Sequence, residues 1–249
     1  MNTAPNPTPK PKSDVYVPPY RRKQIQADDE EARRIFSNSV KSGINFDKYD
    51  DIKVQVSGNG KFEPIQSFQE INLGVVLNQN VKLAQYQKPT PIQKHALPIA
   101  LSGRDLMACA QTGSGKTCAF LFPILYKLQQ WKQDKSLTQR GARDVFAMPM
   151  ALILAPTREL CIQIFDEATK FSFRLQLVVS VVYGGKNMQE QIRALKRSGC
   201  DLLVATPGRL IDHLEKGIIG MEKIQIFCLD EADRMLDMGF EEQIRKIVT

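Results

Sequence analysis

Short runs of apolar residues recur along most of the chain, and each is followed by a segment whose apolar positions return with helical spacing. Runs of the first kind predict buried strands and segments of the second kind amphipathic helices. The predicted strands are Asp105–Ala110, Ala151–Ala155, Leu177–Tyr183, Leu202–Ala205 and Ile224–Leu229. After the first strand, Leu121, Ile124, Leu125 and Leu128 share one helical face; further on, Gln189 to Arg197 is a basic amphipathic helix. Upstream, Phe68, Ile71, Leu73, Val75 and Leu77 suggest another helix. Such alternation predicts an α/β fold, a mostly parallel sheet with helices on both faces. Between Trp131 and Arg143 the pattern fails and the composition turns polar, which predicts a surface loop.

The first 60 residues lack this regularity. Met1 to Pro19 is rich in Pro, Asn, Thr and Lys and buries too little to fold, so a disordered or polyproline-like tail is expected. Within it, Tyr16–Val17–Pro18–Pro19–Tyr20–Arg21–Arg22–Lys23 is either a solvated linker or a short linear motif for a partner. Asp28–Asp29–Glu30–Glu31, followed by Ala32, Ile35 and Phe36, predicts a short helix near 28–42 with acids in its first turn. Gly43 would end it, and 44–60 is expected to be extended up to a Gly–Asn–Gly turn. The organisation expected is an N-terminal extension over 1–60 and one compact domain over 61–249.

Composition narrows the class only a little. The chain has 249 residues, 43% hydrophobic and 24% charged, as an ordinary globular protein has. Its net charge is +7, and the 24 basic against 19 acidic residues beyond Gly60 put most of that excess on the compact part. This suits an anionic partner without requiring one. The five cysteines, Cys109, Cys118, Cys161, Cys200 and Cys228, form no CxxC pair and are expected to be reduced. His95 and His213 are isolated, and no apolar run is long enough to span a bilayer. A cytoplasmic location is expected, with the nucleus or RNA granules as alternatives, and no membrane association.

Specific chemistry enters at Ala110–Gln111–Thr112–Gly113–Ser114–Gly115–Lys116–Thr117. A loop of small residues between a strand and a helix turns backbone N–H groups inward, and the helix N-terminus adds its positive end. Together these cradle phosphates. Lys116 would reach the terminal phosphates, and the Thr117 hydroxyl would hold Mg²⁺. Upstream, Tyr86–Gln87–Lys88–Pro89–Thr90–Pro91–Ile92–Gln93 is a proline-stiffened loop that offers a ring and an amide. An amide can both donate and accept in one plane, as adenine requires. Asp230–Glu231–Ala232–Asp233 follows the last predicted strand. Asp230 is placed to hold Mg²⁺, Glu231 to polarise water and Asp233 to fix neighbouring polar groups. Three carboxylates crowded there would repel one another unless a cation were present.

The remaining strand ends suggest a nucleic-acid path. Thr157 and Thr206 each open a helix beside Pro156 or Pro207, with Arg158, Gly208 and Arg209 following. Free backbone N–H groups at such ends accept phosphates, and the arginines add charge. Gly184–Gly185 would let a nucleic-acid strand lie against backbone. No aromatic row is interleaved, so sugar and phosphate contacts without sequence preference are expected.

The order of these motifs resembles that of the DEAD-box RNA helicases. Tyr86 to Gln93 looks like the family's Q motif, and AQTGSGKT, PTREL, GG, TPGR and DEAD follow in the family's sequence. SGINFDKYDDI, MACAQTGSGKT and LDEADRMLDMGF are similar to the subfamily of the Vasa and translation-initiation helicases. The resemblance implies the first RecA-like domain of a P-loop NTPase, with ATP and Mg²⁺ as cofactors and RNA as partner. It implies that Phe68 and Tyr86 pack on adenine, Gln93 reads it and Lys88 lies nearby. Lys116 and Thr117 would serve phosphate and Mg²⁺, Asp230 would hold Mg²⁺ and Glu231 would be the catalytic base. Pro156, Thr157, Arg158, Gly184, Gly185, Thr206, Pro207, Gly208 and Arg209 fall where the family holds RNA.

Departures from the pattern include Lys88 where relatives often carry Arg and Cys161 where Ala is usual. YVPPYRRK is a loose likeness of a segment by which relatives touch a cap-binding initiation factor, which implies initiation factors as partners of the tail. The chain stops 16 residues after Asp233, before the family's SAT motif and second domain. Two readings follow: the ATP-binding half of an RNA-dependent helicase, monomeric as a full protein, or a non-catalytic nucleotide- or RNA-binding module. A further expectation is a gap in the sheet between the strands at Asp105–Ala110 and Ile224–Leu229, leaving the chain marginally stable and prone to associate through open strand edges.

Overall fold

A computed structural model describes residues 29–37, 52–134 and 146–248. The predicted tail over 1–19, the Tyr16–Lys23 segment, Gly43 and most of the polar loop before Arg143 lie outside these residues. Residues 29–37 form a helix, α1, within the predicted 28–42, and belong to a unit separate from the rest of the chain.

In the larger unit, residues 52–67 are irregular backbone. A single 3₁₀ turn, Phe68–Glu70, is capped by Ser67, whose side chain accepts from the Gln69 amide. The helices Gly74–Leu83 (α2), Pro91–Leu101 (α3) and Lys116–Gln133 (α4) follow. Strand β1, Ala151–Leu154, leads into α5, Arg158–Phe171, and β2, Val179–Val182, leads into α6, Met188–Ser198. Then come β3, Leu202–Ala205; α7, Pro207–Glu215; β4, Ile226–Leu229; α8, Ala232–Asp237; and α9, Glu241–Val248.

The sheet runs β2–β3–β1–β4 and every pairing is parallel. Registers Leu154↔Ala205, Leu154↔Leu229 and Val182↔Ala205 set the C-terminal ends of all four strands level. Central strands β1 and β3 are buried at every position. Side chains alternate between faces. Leu152, Leu154, Leu203 and Ala205 pack with Leu195, Leu210, Met235 and Ile247 of α6, α7, α8 and α9. On the other face α5 covers β2 and β3, and α2, α3 and α4 pack behind it. The expected parallel sheet sandwiched by helices is therefore present.

The structure corrects the sequence reading at two segments. The helix expected through Phe68, Ile71, Leu73, Val75 and Leu77 is a 3₁₀ turn at Phe68–Glu70, extended backbone at Ile71 and a helix that begins only at Gly74. The first expected strand is missing. Asp105–Ala110 forms no strand, and it is not buried: Met107 is 92% exposed and Leu106 42%. A strand is made by its neighbours, and among the described residues this segment has no backbone partner in the sheet. Among the described residues β4 pairs on one side only, with β1, and its Phe227 and Leu229 remain partly exposed. Among the described residues, no helix is long and apolar enough to cross a membrane.

Candidate functional site

The phosphate-type loop turns through two left-handed glycines, Gly113 at φ 81° and Gly115 at φ 89°, directly before α4. Only glycine adopts that conformation without strain. At Gly115 space also forbids a side chain, since a Cβ would lie 2.6 Å from Gln93 Nε2 and 3.1 Å from Thr90 Oγ1. The loop leading to α3 is thus pressed against the phosphate loop. Gln93, 1% exposed, accepts from the Thr90 amide at 3.0 Å and donates to the Gly115 carbonyl at 3.1 Å. One N–H and one lone pair of its amide remain.

Lys116 folds back on its own loop. Its Nζ donates to the Ala110 carbonyl and lies 3.5 Å from the Gln111 carbonyl oxygen. Among the described residues, Ser114 Oγ is buried beside this loop without a hydrogen-bond partner, whereas the Thr90 side chain faces the Gln93 backbone amide in a capping box. Buried hydroxyls are rarely left unpaired. An orphaned hydroxyl, a left-handed glycine loop, a helix N-terminus and one lysine fit a phosphate ester. Thr117 sits in the first turn of α4, and Gln111 and Thr112 are exposed on the loop.

Of the two aromatics expected beside adenine, Phe68 is a core residue, only 3% exposed. Its ring lies edge-on to Tyr86 and Phe122, each 6.1 Å away, and Tyr86 meets Phe171 at 5.6 Å. Tyr86 is half-buried, and its hydroxyl lies 3.1 Å from Cys118 Sγ. Burial pushes the Cys118 thiol up to about 12 and the Tyr86 phenol higher still, so both stay protonated. Cys118 lies in the first turn of α4, directly after the phosphate loop. Lys88 is exposed two residues beyond Tyr86.

The acidic turn after β4 does not gather its carboxylates. Asp230 is 8% exposed and accepts from the Glu231 amide at 3.1 Å. Burial, followed by the charge of Glu231, pushes its pKa up, and the charge of Lys116 acts in the opposite sense. Loop and acidic turn therefore face each other across the strand ends. Glu231 takes a left-handed backbone, φ 52°, and its carboxylate pairs with Arg234 at 3.0 Å. A non-glycine residue held there is strained, and such strain concentrates at functional turns. Asp233 accepts from the Arg234 amide at 2.9 Å. The expected repulsion between Asp230 and Glu231 remains, offset by the Arg234 pair, and among the described residues no three His, Cys, Asp or Glu side chains form a metal cage. A P-loop Mg²⁺ needs none, since it takes most of its ligands from water and phosphate.

The other predicted residues stand along the same sheet edge. Thr157 caps α5, its Oγ1 accepting from the Leu160 amide at 3.2 Å, with Pro156 just before it. The Arg158 guanidinium lies 5.3 Å from the centroid of the Tyr183 ring, within cation–π range. Gly185 takes φ 79°, and a Cβ there would come within 3.5 Å of Arg158 Nη1. Thr206 and Pro207 open α7, Gly208 is exposed, and Arg209 Nη1 donates to the Lys186 carbonyl at 2.9 Å, tying α7 to the turn that contains Gly184 and Gly185. Arg209 is thus partly spent as a staple. Two residues outside the motifs complete this edge: Tyr183, and Gln191 of α6, which exchanges hydrogen bonds with the Tyr183 backbone. A glutamine inside the apolar stripe of α6 was the available signal.

The model of the DEAD/DEAH box helicase family matches residues 90–249. Among solved structures, the chain is 43% identical to the RNA helicase Prp28 from Chaetomium thermophilum bound to ADP, with a TM-score of 0.67 over 77% of this chain and 45% of that one. It is 38% identical to the yeast DEAD-box splicing factor Prp28, with a TM-score of 0.65 over 74% and 42% of the two chains. A DEAD box protein from the hyperthermophile Methanococcus jannaschii is 34% identical, with a TM-score of 0.62 over 74% and 46%. This chain spans less than half the length of each of these structures.

Proposed function

The chain belongs to the DEAD/DEAH box helicase family, and from that premise we propose that it binds ATP with Mg²⁺ and holds single-stranded RNA by its backbone, as the nucleotide-binding part of an RNA helicase. The observation that carries this reading is the common edge. Buried Asp230, the openings of α5 and α7 with Arg158 and Arg209, and the Gly184–Gly185 turn lie at the level C-terminal ends of one parallel sheet, and the charge of Lys116 in the phosphate loop acts on Asp230 there.

On this reading Lys116 leaves the Ala110 carbonyl to pair with phosphate, and the Ser114 hydroxyl gains the partner it lacks. Gln93 reads the adenine edge with its remaining N–H and lone pair, while Tyr86, backed by the buried Phe68 ring, walls the base. Thr117 and Asp230 hold Mg²⁺, which would neutralise charge on the phosphates when bound. Glu231, one residue beyond Asp230, takes the proton of an attacking water, and Arg234 orients its carboxylate. Arg158, Thr157, Gly185 and Thr206 hold sugar–phosphate without reading bases.

RNA contact is tested by anisotropy of a labelled single-stranded RNA. Arg158→Ala with Arg209→Ala should weaken binding about equally for all sequences and flatten its salt dependence. An unchanged salt slope would contradict the proposed path.

A further inference from the structure

Helix α6 turns a strongly apolar face to the sheet, and one residue of that face is an amide. Gln191 is only 4% exposed, among Ile192 and Leu195. A buried amide must find partners or destabilise the fold. Gln191 finds both in one residue: its Nε2 donates to the Tyr183 carbonyl at 3.0 Å, and the Tyr183 amide donates to its Oε1 at 3.2 Å.

The direction of that pair matters. β2 is the outermost strand, and the carbonyl of its last residue, Val182, is taken by the Thr206 amide at 3.1 Å on the β3 side. Successive residues of a strand point their backbone groups to opposite sides. Tyr183 therefore faces outward, where no strand follows among the described residues. The side-chain amide of Gln191 has the donor and acceptor geometry of a peptide group and supplies the missing ladder rung. It fixes the Tyr183 peptide plane, and with it the Tyr183 ring and the start of the Gly184–Gly185 turn. The Arg158 guanidinium rests on that ring and abuts Gly185, while Arg209 secures the far side of the turn at Lys186.

We propose that Gln191 is a positioning residue for RNA: through Tyr183 it holds the Arg158 guanidinium and the Gly184–Gly185 turn in one phosphate-binding orientation, without touching RNA itself. The inference rests on the RNA path proposed above. An amide of this length is required. Methionine leaves both Tyr183 backbone groups unpaired, an ionised glutamate offers no donor, and asparagine is one methylene short.

The experiment measures single-stranded RNA affinity by anisotropy and nucleotide affinity by fluorescence titration, both well below the melting temperature. Gln191→Met should weaken RNA binding roughly tenfold, about the worth of one charge-assisted contact, and leave nucleotide affinity at the wild-type value. In the double variant with Arg158→Ala the losses should not add, because both remove the same contact. Ile192→Val, which loosens α6 on the core without touching Tyr183, should bind RNA as the wild type does. Should Gln191→Met fail to fold, Gln191→Asn carries the same measurements with the smallest change in volume. Wild-type RNA affinity in the Gln191 variant, full additivity with Arg158→Ala, or an equal loss in Ile192→Val would each overturn the proposal. If Arg158→Ala weakens RNA binding and the Gln191 variant does not, this inference alone fails. If Arg158→Ala has no effect, the RNA path fails and this inference falls with it.

Discussion

Gln93 donates to the carbonyl oxygen of Gly115 across 3.1 Å, joining the loop before α3 to the turn that would hold phosphate. Gly115 has no room for a side chain on that side, and its backbone is left-handed at φ 89°. Gly115→Ala should therefore destabilise the protein by roughly 1–3 kcal/mol through backbone strain and displacement of Gln93, and should weaken nucleotide binding as well. Thermal melts and nucleotide titration of the variant check both. An alanine variant as stable as the wild type would show that the two loops can part without cost.

Asp230 is the one carboxylate of the acidic turn that is buried, and burial and Glu231 raise its pKa. The unfolded carboxyl ionises more readily, so this group favours the fold at low pH. That contribution is lost as pH rises through the folded pKa. At neutral pH Asp230→Asn should accordingly raise the melting temperature of the nucleotide-free protein while abolishing the stabilisation that Mg²⁺ and nucleotide add. Paired melts with and without Mg²⁺–ATP measure this, and a lower melting temperature for the nucleotide-free variant would contradict it.

His213 lies fully buried in α7, and among the described residues neither ring nitrogen has a hydrogen-bond partner. Burial chiefly, with the charges of Arg209 and Lys216, pushes its pKa down to about 4, against the pull of Asp212. The unfolded ring takes a proton below its ordinary pKa of 6.5, whereas the folded ring stays neutral until about 4. Stability from this group is complete above the first value and is lost as pH falls to the second, by about 3 kcal/mol in all. His213→Leu should flatten the melting temperature over that interval relative to the wild type; equal slopes would contradict the assignment.

β4 is paired on one side only among the described residues, and Phe227 on it is 37% exposed, as is Leu229. Open apolar strand edges recruit other strands. Sedimentation should show association of this chain that grows with concentration and is reduced by Phe227→Lys. A monomer at every concentration would refute the expectation.

The strands at Ala151, Leu202 and Ile226 were legible because each is a short apolar run ended by a polar cluster, and a parallel sheet is the economical way to bury such runs. Asp105–Ala110 has the same composition and is not a strand, since composition cannot supply a neighbour to pair with. The motif residues could be found one by one, but their division of labour could not. Phe68 in the core, Arg209 as a staple and Lys116 folded on its own loop are consequences of three-dimensional contacts. Gln191 carried a weak signal, a polar residue at a buried helical position, whose partner Tyr183 only the fold reveals.

The central claim is that the loop from Ala110 to Thr117 holds the phosphates of an adenine nucleotide, with Lys116 as its only cationic side chain. Titration of a fluorescent ATP analogue in the presence of Mg²⁺, with ATP and GTP as competitors, tests it most directly. The wild type should bind the analogue and release it to ATP far more readily than to GTP, and Lys116→Ala should lose most of the affinity while melting as a folded protein. Equal affinity in the folded Lys116→Ala variant, or no preference for ATP over GTP, would contradict the account.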